Sequence, residues 1–96
     1  MASEQISMSP DLMRARAGEY TKQAENLGQI ISKMDNLLKQ LQDEWKGEAS
    51  RAFAQRFTEL RPGFVKAANL IDEISDALKK TAQAVEQQDR EIARQY

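Results

Sequence analysis

Apolar residues recur along this chain in two long stripes whose steps alternate four and three. The first runs Met13, Ala17, Tyr20, Ala24, Leu27, Ile31, Met34, Leu38, Leu41 and Trp45, without a polar interruption. The second runs Phe53, Phe57, Leu60, Phe64, Ala67, Ile71, Ile74, Leu78, Thr81 and Val85, with Thr81 as its single polar member. A mean step of about 3.5 residues is the period of a left-handed coiled coil, because it keeps one seam of each helix turned toward a partner. The pattern predicts an all-α fold of two long helices packed along their length.

Local signals place the ends. Ser9, Pro10 and Asp11 supply an N-cap hydroxyl, a proline at the first helical position and an acidic first turn. Helix 1 should therefore run over about residues 10–43, on the order of 50 Å at 1.5 Å per residue. The chain reverses at Trp45-Lys46-Gly47, where Gly47 can take a positive φ and Trp45 can close the end of the core. A tryptophan filling that end would cost about 3–5 kcal/mol if cut back to alanine. Helix 2 should span about residues 48–90, with flexible chain ends. Pro62 interrupts it, since proline cannot donate back to residue 58. A kink is expected, because Phe57, Leu60, Phe64 and Ala67 keep their phase across it; two helices meeting at a break is the alternative.

An antiparallel helix-turn-helix hairpin gives each helix one neighbour, yet both stripes are wider than one seam. Ile30 and Leu37 widen the first; Ala68, Leu70, Ala77, Ala82 and Ala84 widen the second. That width needs a second hairpin, which makes a dimeric four-helix bundle. Its hairpin and dimer core is assigned to Tyr20, Leu27, Ile31, Met34, Leu38, Leu41, Phe53, Phe57, Leu60, Phe64, Ile71, Ile74 and Leu78. Small residues (Ala24, Ala67, Ala77 and the neighbouring Gly28) would let helices approach closely.

Composition narrows the chemistry. The chain has 96 residues, one small domain, with 14 basic and 15 acidic side chains and a net charge of -1. Neither half is polybasic, so nucleic acid is not an expected partner. No apolar run approaches the roughly 20 residues of a spanning helix, and the apolar stripes are already used in packing, so stable membrane insertion is not expected either. There is no Cys and no His, which removes thiol chemistry, the commonest acid–base group and the usual zinc ligands. Carboxylate groups such as Asp43/Glu44, Asp72/Glu73/Asp76 and Glu86/Asp89 are expected on the solvated polar face, outside any calcium-loop frame. No catalytic residue, metal or cofactor is assigned.

Trp-x-Gly midway between two matched amphipathic helices, with Met8-Ser9-Pro10 ahead and Ala49, Phe53 and Phe57 behind, resembles the WXG superfamily of roughly hundred-residue secreted proteins, the early-secreted-antigen or Esx type. The resemblance covers nearly the whole chain. It implies a hairpin paired with itself or with a paralogous hairpin, and export without a cleaved signal peptide, from the cytoplasm, by a type VII secretion system. The motor of that system is a membrane ATPase of the FtsK/SpoIIIE class. Val85, Asp89, Ile92 and Tyr96 are similar to the C-terminal export pattern of the Gram-positive members. The stricter form of that signal has Tyr where Val85 stands, so it is not met. By helical spacing alone, the four share one face that a motor could read, or Val85 and Ile92 simply extend the core.

Two functions follow. One is a non-enzymatic, dimeric type VII substrate or co-secretion partner, with Trp45 and Gly47 adding a recognition surface at the turn. The other is an intracellular coiled-coil adaptor that docks partner helices.

Overall fold

The computed structural model describes residues 9–95; Met8 and Tyr96, both named above, lie outside the described residues. Two helices make up the fold, α1 (Pro10–Glu44) and α2 (Glu48–Gln95), joined by a three-residue turn. The Ser9 side chain accepts from the Leu12 N–H at 3.1 Å, satisfying one of the donors a helix start leaves open, and Pro10 sets the first helical φ. At the other end Trp45 turns extended (φ -123°, ψ 102°) while its N–H still donates to the Leu41 carbonyl at 2.8 Å. Gly47 then takes φ +126°, which a side chain would resist, and its carbonyl accepts from the Arg51 N–H to begin α2.

α2 is one continuous helix through Pro62, not two meeting at a break. It also runs five residues beyond the expected end near 90, because nothing after Gly63 is glycine or proline. Its 48 residues, about 72 Å at 1.5 Å each, account for the 75 Å length of the molecule.

The seam between the helices takes up most of the first stripe read from the sequence and half of the second. On α1 it comprises the column Ala17, Ala24, Ile31, Leu38, flanked by Thr21, Gly28, Asp35 on one side and by Leu27, Met34, Leu41 on the other, all buried or half-buried. On α2 it comprises Phe57, Ile71, Leu78, Val85 and the column Ala54, Arg61, Ala68, Ser75, Ala82. Eight of the ten positions of the first expected stripe and five of the ten of the second are therefore buried or half-buried, and the others are exposed. Tyr20, Phe53, Leu60, Phe64 and Ile74, assigned to the core, are 40–49% exposed in the hairpin. The physical reason is size: small side chains lie deepest at the contact, where Ala17 and Ala82 are wholly buried and Ser75 is 1% exposed. Gly28 is not what permits the approach, since a Cβ built there would meet no atom within 4 Å. Ala24 is buried and Ala67 half-buried, whereas Ala77 faces outward.

Register follows from two contacts. Thr21 meets Ser75 and Asp35 meets Arg61, so 14 residues forward on α1 match 14 back on α2, as an antiparallel pair requires. Extrapolated, Pro10 stands level with Glu86. The last nine residues of α2, 87–95, run on past the start of α1.

Candidate functional site

The hairpin has two unlike faces, divided by the seam. One side of the seam is polar and tied across. The Asp35 carboxylate accepts two hydrogen bonds from Arg61, both 2.9 Å, in the bidentate geometry of the strongest ion pairs. Ser75, 1% exposed, shares a 2.7 Å hydrogen bond with the Thr21 hydroxyl and donates to the Ala17 carbonyl at 2.9 Å. Nearer the open end Arg14 donates to both Glu86 carboxylate oxygens through its two terminal guanidinium nitrogens, Nη1 and Nη2. No buried side-chain polar atom lacks a partner among the described residues, as a low-dielectric interior demands.

Sequence reasoning misses five of these six residues and reads the sixth, Glu86, as a solvated carboxylate, whereas it is half-buried and paired with Arg14. A signal exists: Arg14, Thr21, Gly28 and Asp35 recur every seven residues beside the first stripe, and Arg61, Ala68, Ser75 and Ala82 do so beside the second. A heptad column that is polar reads as solvated unless its partner is known.

The ion pairs make stability depend on acid. Hydrogen bonding from Arg61 holds the Asp35 carboxyl below the usual carboxylate range, and Arg14 does the same to Glu86. Both values return to about 4 when the chain unfolds, so the unfolded chain binds protons first. Their contribution is complete above that range and fades as pH falls through the lowered folded values. We expect the urea midpoint to drop between pH 7 and pH 3, and Asp35→Asn/Glu86→Gln to show a shallower drop. An equal drop in both chains would show that the pairs do not contribute.

The other side of the seam is apolar and open. Met34, Leu37, Leu38 and Leu41 of α1 line one groove with Phe53 and Phe57 of α2, so the flanking apolar columns of both helices share a face. Along it Tyr20, Ile30, Leu37, Phe53, Leu60, Phe64, Leu70 and Ile74 are exposed, Leu37 to 61%. The side chains that are buried are smaller: Ile31 and three alanines are the buried hydrophobics among the described residues. A contiguous apolar strip of this kind marks an interaction surface.

The turn caps the same face. Trp45 lies against Phe53, ring centroids 6.5 Å apart and planes inclined at 51°. It remains 41% exposed, so the expectation that it fills a closed core end does not hold for the hairpin alone. At the far end of α2, Val85, Asp89 and Ile92 fall in step with the seam columns. Val85 is half-buried, whereas Asp89 and Ile92 stand exposed beyond the last cross-helix contacts.

A match to the WXG100 family, described as proteins of 100 residues with WXG, spans residues 5–90. The type VII secretion system extracellular protein A of Staphylococcus aureus is 32% identical over 91 residues, 95% of this chain and 94% of that protein. The chain belongs to the WXG100 family. Another relative, protein YukE of Bacillus subtilis, is 29% identical over 94% of this chain and 93% of its own length. The crystal structure of Geobacillus thermodenitrificans EsxA superimposes with a TM-score of 0.81 at 35% identity, covering 92% of this chain and 96% of that one. A point mutant of the secreted protein EsxB of Bacillus anthracis shares the fold at TM-score 0.79 and 20% identity, covering 88% of this chain and 94% of its own. In this WXG100 chain the Trp-x-Gly string is Trp45-Lys46-Gly47, and its glycine supplies the positive φ on which the reversal depends.

Among the described residues no cluster of three or more acidic side chains is arranged to hold a metal. No described helix is long and apolar enough to cross a membrane.

Proposed function

We propose that this chain is a small non-enzymatic protein exported by a type VII secretion system, working as a pair of hairpins. The observation that carries the reading is its 32% identity, over 95% of its length, to a type VII secretion system extracellular protein. Pairing is supported by the apolar face: Ile30, Leu37, Leu60 and Ile74 are each 44% exposed or more, and a second hairpin laid on that face would cover them as a four-helix bundle. The partner is a second copy or a paralogous hairpin. The absence of Cys and His supports a non-enzymatic role.

Export is read as proceeding from the cytoplasm without signal-peptide cleavage, driven by a membrane ATPase of the FtsK/SpoIIIE class. The signal is placed on the end of α2. Asp89 and Ile92 stand one helical turn apart on one face, and the cross-helix ion pair nearest to them is the one between Arg14 and Glu86. Trp45 and Gly47, at the opposite end of the same hairpin, would add to recognition only in a pair.

The test is the intact mass and the supernatant fraction of the protein in its native bacterium, beside an Asp89→Ala/Ile92→Ala chain. Full-length protein outside the cell is expected, with the variant held inside at least tenfold more and unfolding at the same urea concentration. Both chains remaining inside while the motor is expressed would favour the intracellular adaptor. Equal export of both would remove the signal from α2.

A further inference from the structure

We propose that the polar contacts between α1 and α2 form a ladder that sets the rotation of each helix about its own axis, and so keeps Tyr20, Leu60 and Ile74 outward. Two rotations fit this sequence. The observed one places Thr21, Gly28 and Asp35 against Arg61, Ala68 and Ser75. Turning each helix by one heptad position, roughly 50°, would instead centre the seam on the column Tyr20, Leu27, Met34 against Leu60, Ala67, Ile74, of which Leu27, Met34 and Ala67 are already half-buried. That second seam is the one the hydrophobic pattern favours. It would remove Tyr20, Leu60 and Ile74, now 41–48% exposed, from water.

The hairpin holds the less apolar seam, and what distinguishes that seam is its ties. Three polar contacts lie along one edge: Arg14 with Glu86, Thr21 with Ser75, and Asp35 with Arg61. They span 21 residues of α1, so no single loosened turn releases the rotation, and rolling either helix breaks all three together. Ser75 is the deepest of them, its hydroxyl closing on the Ala17 backbone as well as on Thr21. Polar groups inside helical interfaces act in this way when they are satisfied in one arrangement and not in the competing ones. The consequence concerns the paired-hairpin reading, on which it rests only for what the outward columns are used for: a hairpin that rolled shut would bury the face its partner needs.

The chain has no cysteine, so single introduced thiols report the rotation. Ala82 belongs to the ladder column and is 0% exposed, whereas Ala24 belongs to a column that both rotations bury and is 8% exposed. In one background, Asp35→Arg/Arg14→Glu turns both ion pairs into like charges. In a second, Arg61→Asp and Glu86→Arg are added, which restores both pairs with their signs exchanged. Labelling of Ala82→Cys by a maleimide is expected to be at least tenfold faster in the like-charge background than in the native or exchanged one. Ala24→Cys should stay protected in all three, with helix content by circular dichroism unchanged. Pairing measured by sedimentation should weaken at least tenfold in the like-charge background and return in the exchanged one.

Protection of both thiols in the like-charge background would overturn the proposal, and so would exposure of both with helix retained. If that background loses its helix, Asp35→Arg alone is read by the same pair of thiols, and labelling at position 82 without labelling at position 24 is again required. A native chain that sediments as a monomer would defeat the paired reading, while the contrast between the two thiols would still decide the ladder.

Discussion

Ile74→Glu is expected to separate paired hairpins into monomers while leaving each hairpin folded. Ile74 is 44% exposed in the hairpin, at the middle of the apolar face, with Leu60 at 48% and Leu70 at 48% on the same helix. In the lone hairpin a glutamate there reaches water, so stability should change by no more than about 0.5 kcal/mol. Inside a four-helix bundle the same carboxylate would be cut off from water with no cation assigned to it, which is among the costliest single changes at an interface. A hundredfold loss of pairing, about 2.7 kcal/mol, is the expected minimum. Sedimentation velocity at micromolar concentration reads it directly. A variant that still sediments as the native pair would place the interface on another face.

Ala82→Leu should act in the opposite way, on the hairpin before any pairing. Ala82 and Ala17 are both 0% exposed at the contact between the helices. Three added carbon atoms have no void to enter, so the helices must part or neighbouring side chains must leave their rotamers, at about 1–3 kcal/mol for either site. In a domain whose whole stability is on the order of 5–15 kcal/mol, that is a large share. Urea unfolding followed by circular dichroism should show a lower midpoint for Ala82→Leu and for Ala17→Leu. Their double variant should cost less than the sum, because helices already parted at one site accommodate the second. Unchanged midpoints would mean that the seam is looser than its burial implies.

The two variants divide the molecule along a line that its sequence blurs. Both stripes run at the coiled-coil period, and nothing in a single stripe says which of its neighbouring columns faces the other helix of the same chain and which faces a second chain. Tyr20 and Ala17 look alike in the pattern, as do Phe53 and Phe57, because an apolar residue is apolar toward either partner. Phe57 is half-buried at the seam and Phe53 is 49% exposed. Trp45 reads as a core plug for the same reason.

What the sequence determined by itself was local or periodic. Ser9 and Pro10 mark the start of α1 because capping and proline geometry act within four residues, and Gly47 marks the reversal because a positive φ excludes side chains. The all-α hairpin followed from two unbroken 3.5-residue stripes, and membership of the WXG100 family from a short motif placed between them. Only the tertiary structure decided the rotation of the helices. Polar residues declare themselves as cross-helix ties only when their partners are 26, 54 or 72 positions away in the chain and within hydrogen-bonding distance in space, as Asp35 with Arg61, Thr21 with Ser75, and Arg14 with Glu86 are. Those pairings put Thr21, Ser75 and Ala82 at the seam and leave Tyr20, Leu60 and Ile74 exposed, and no period in the sequence records which way a helix is turned.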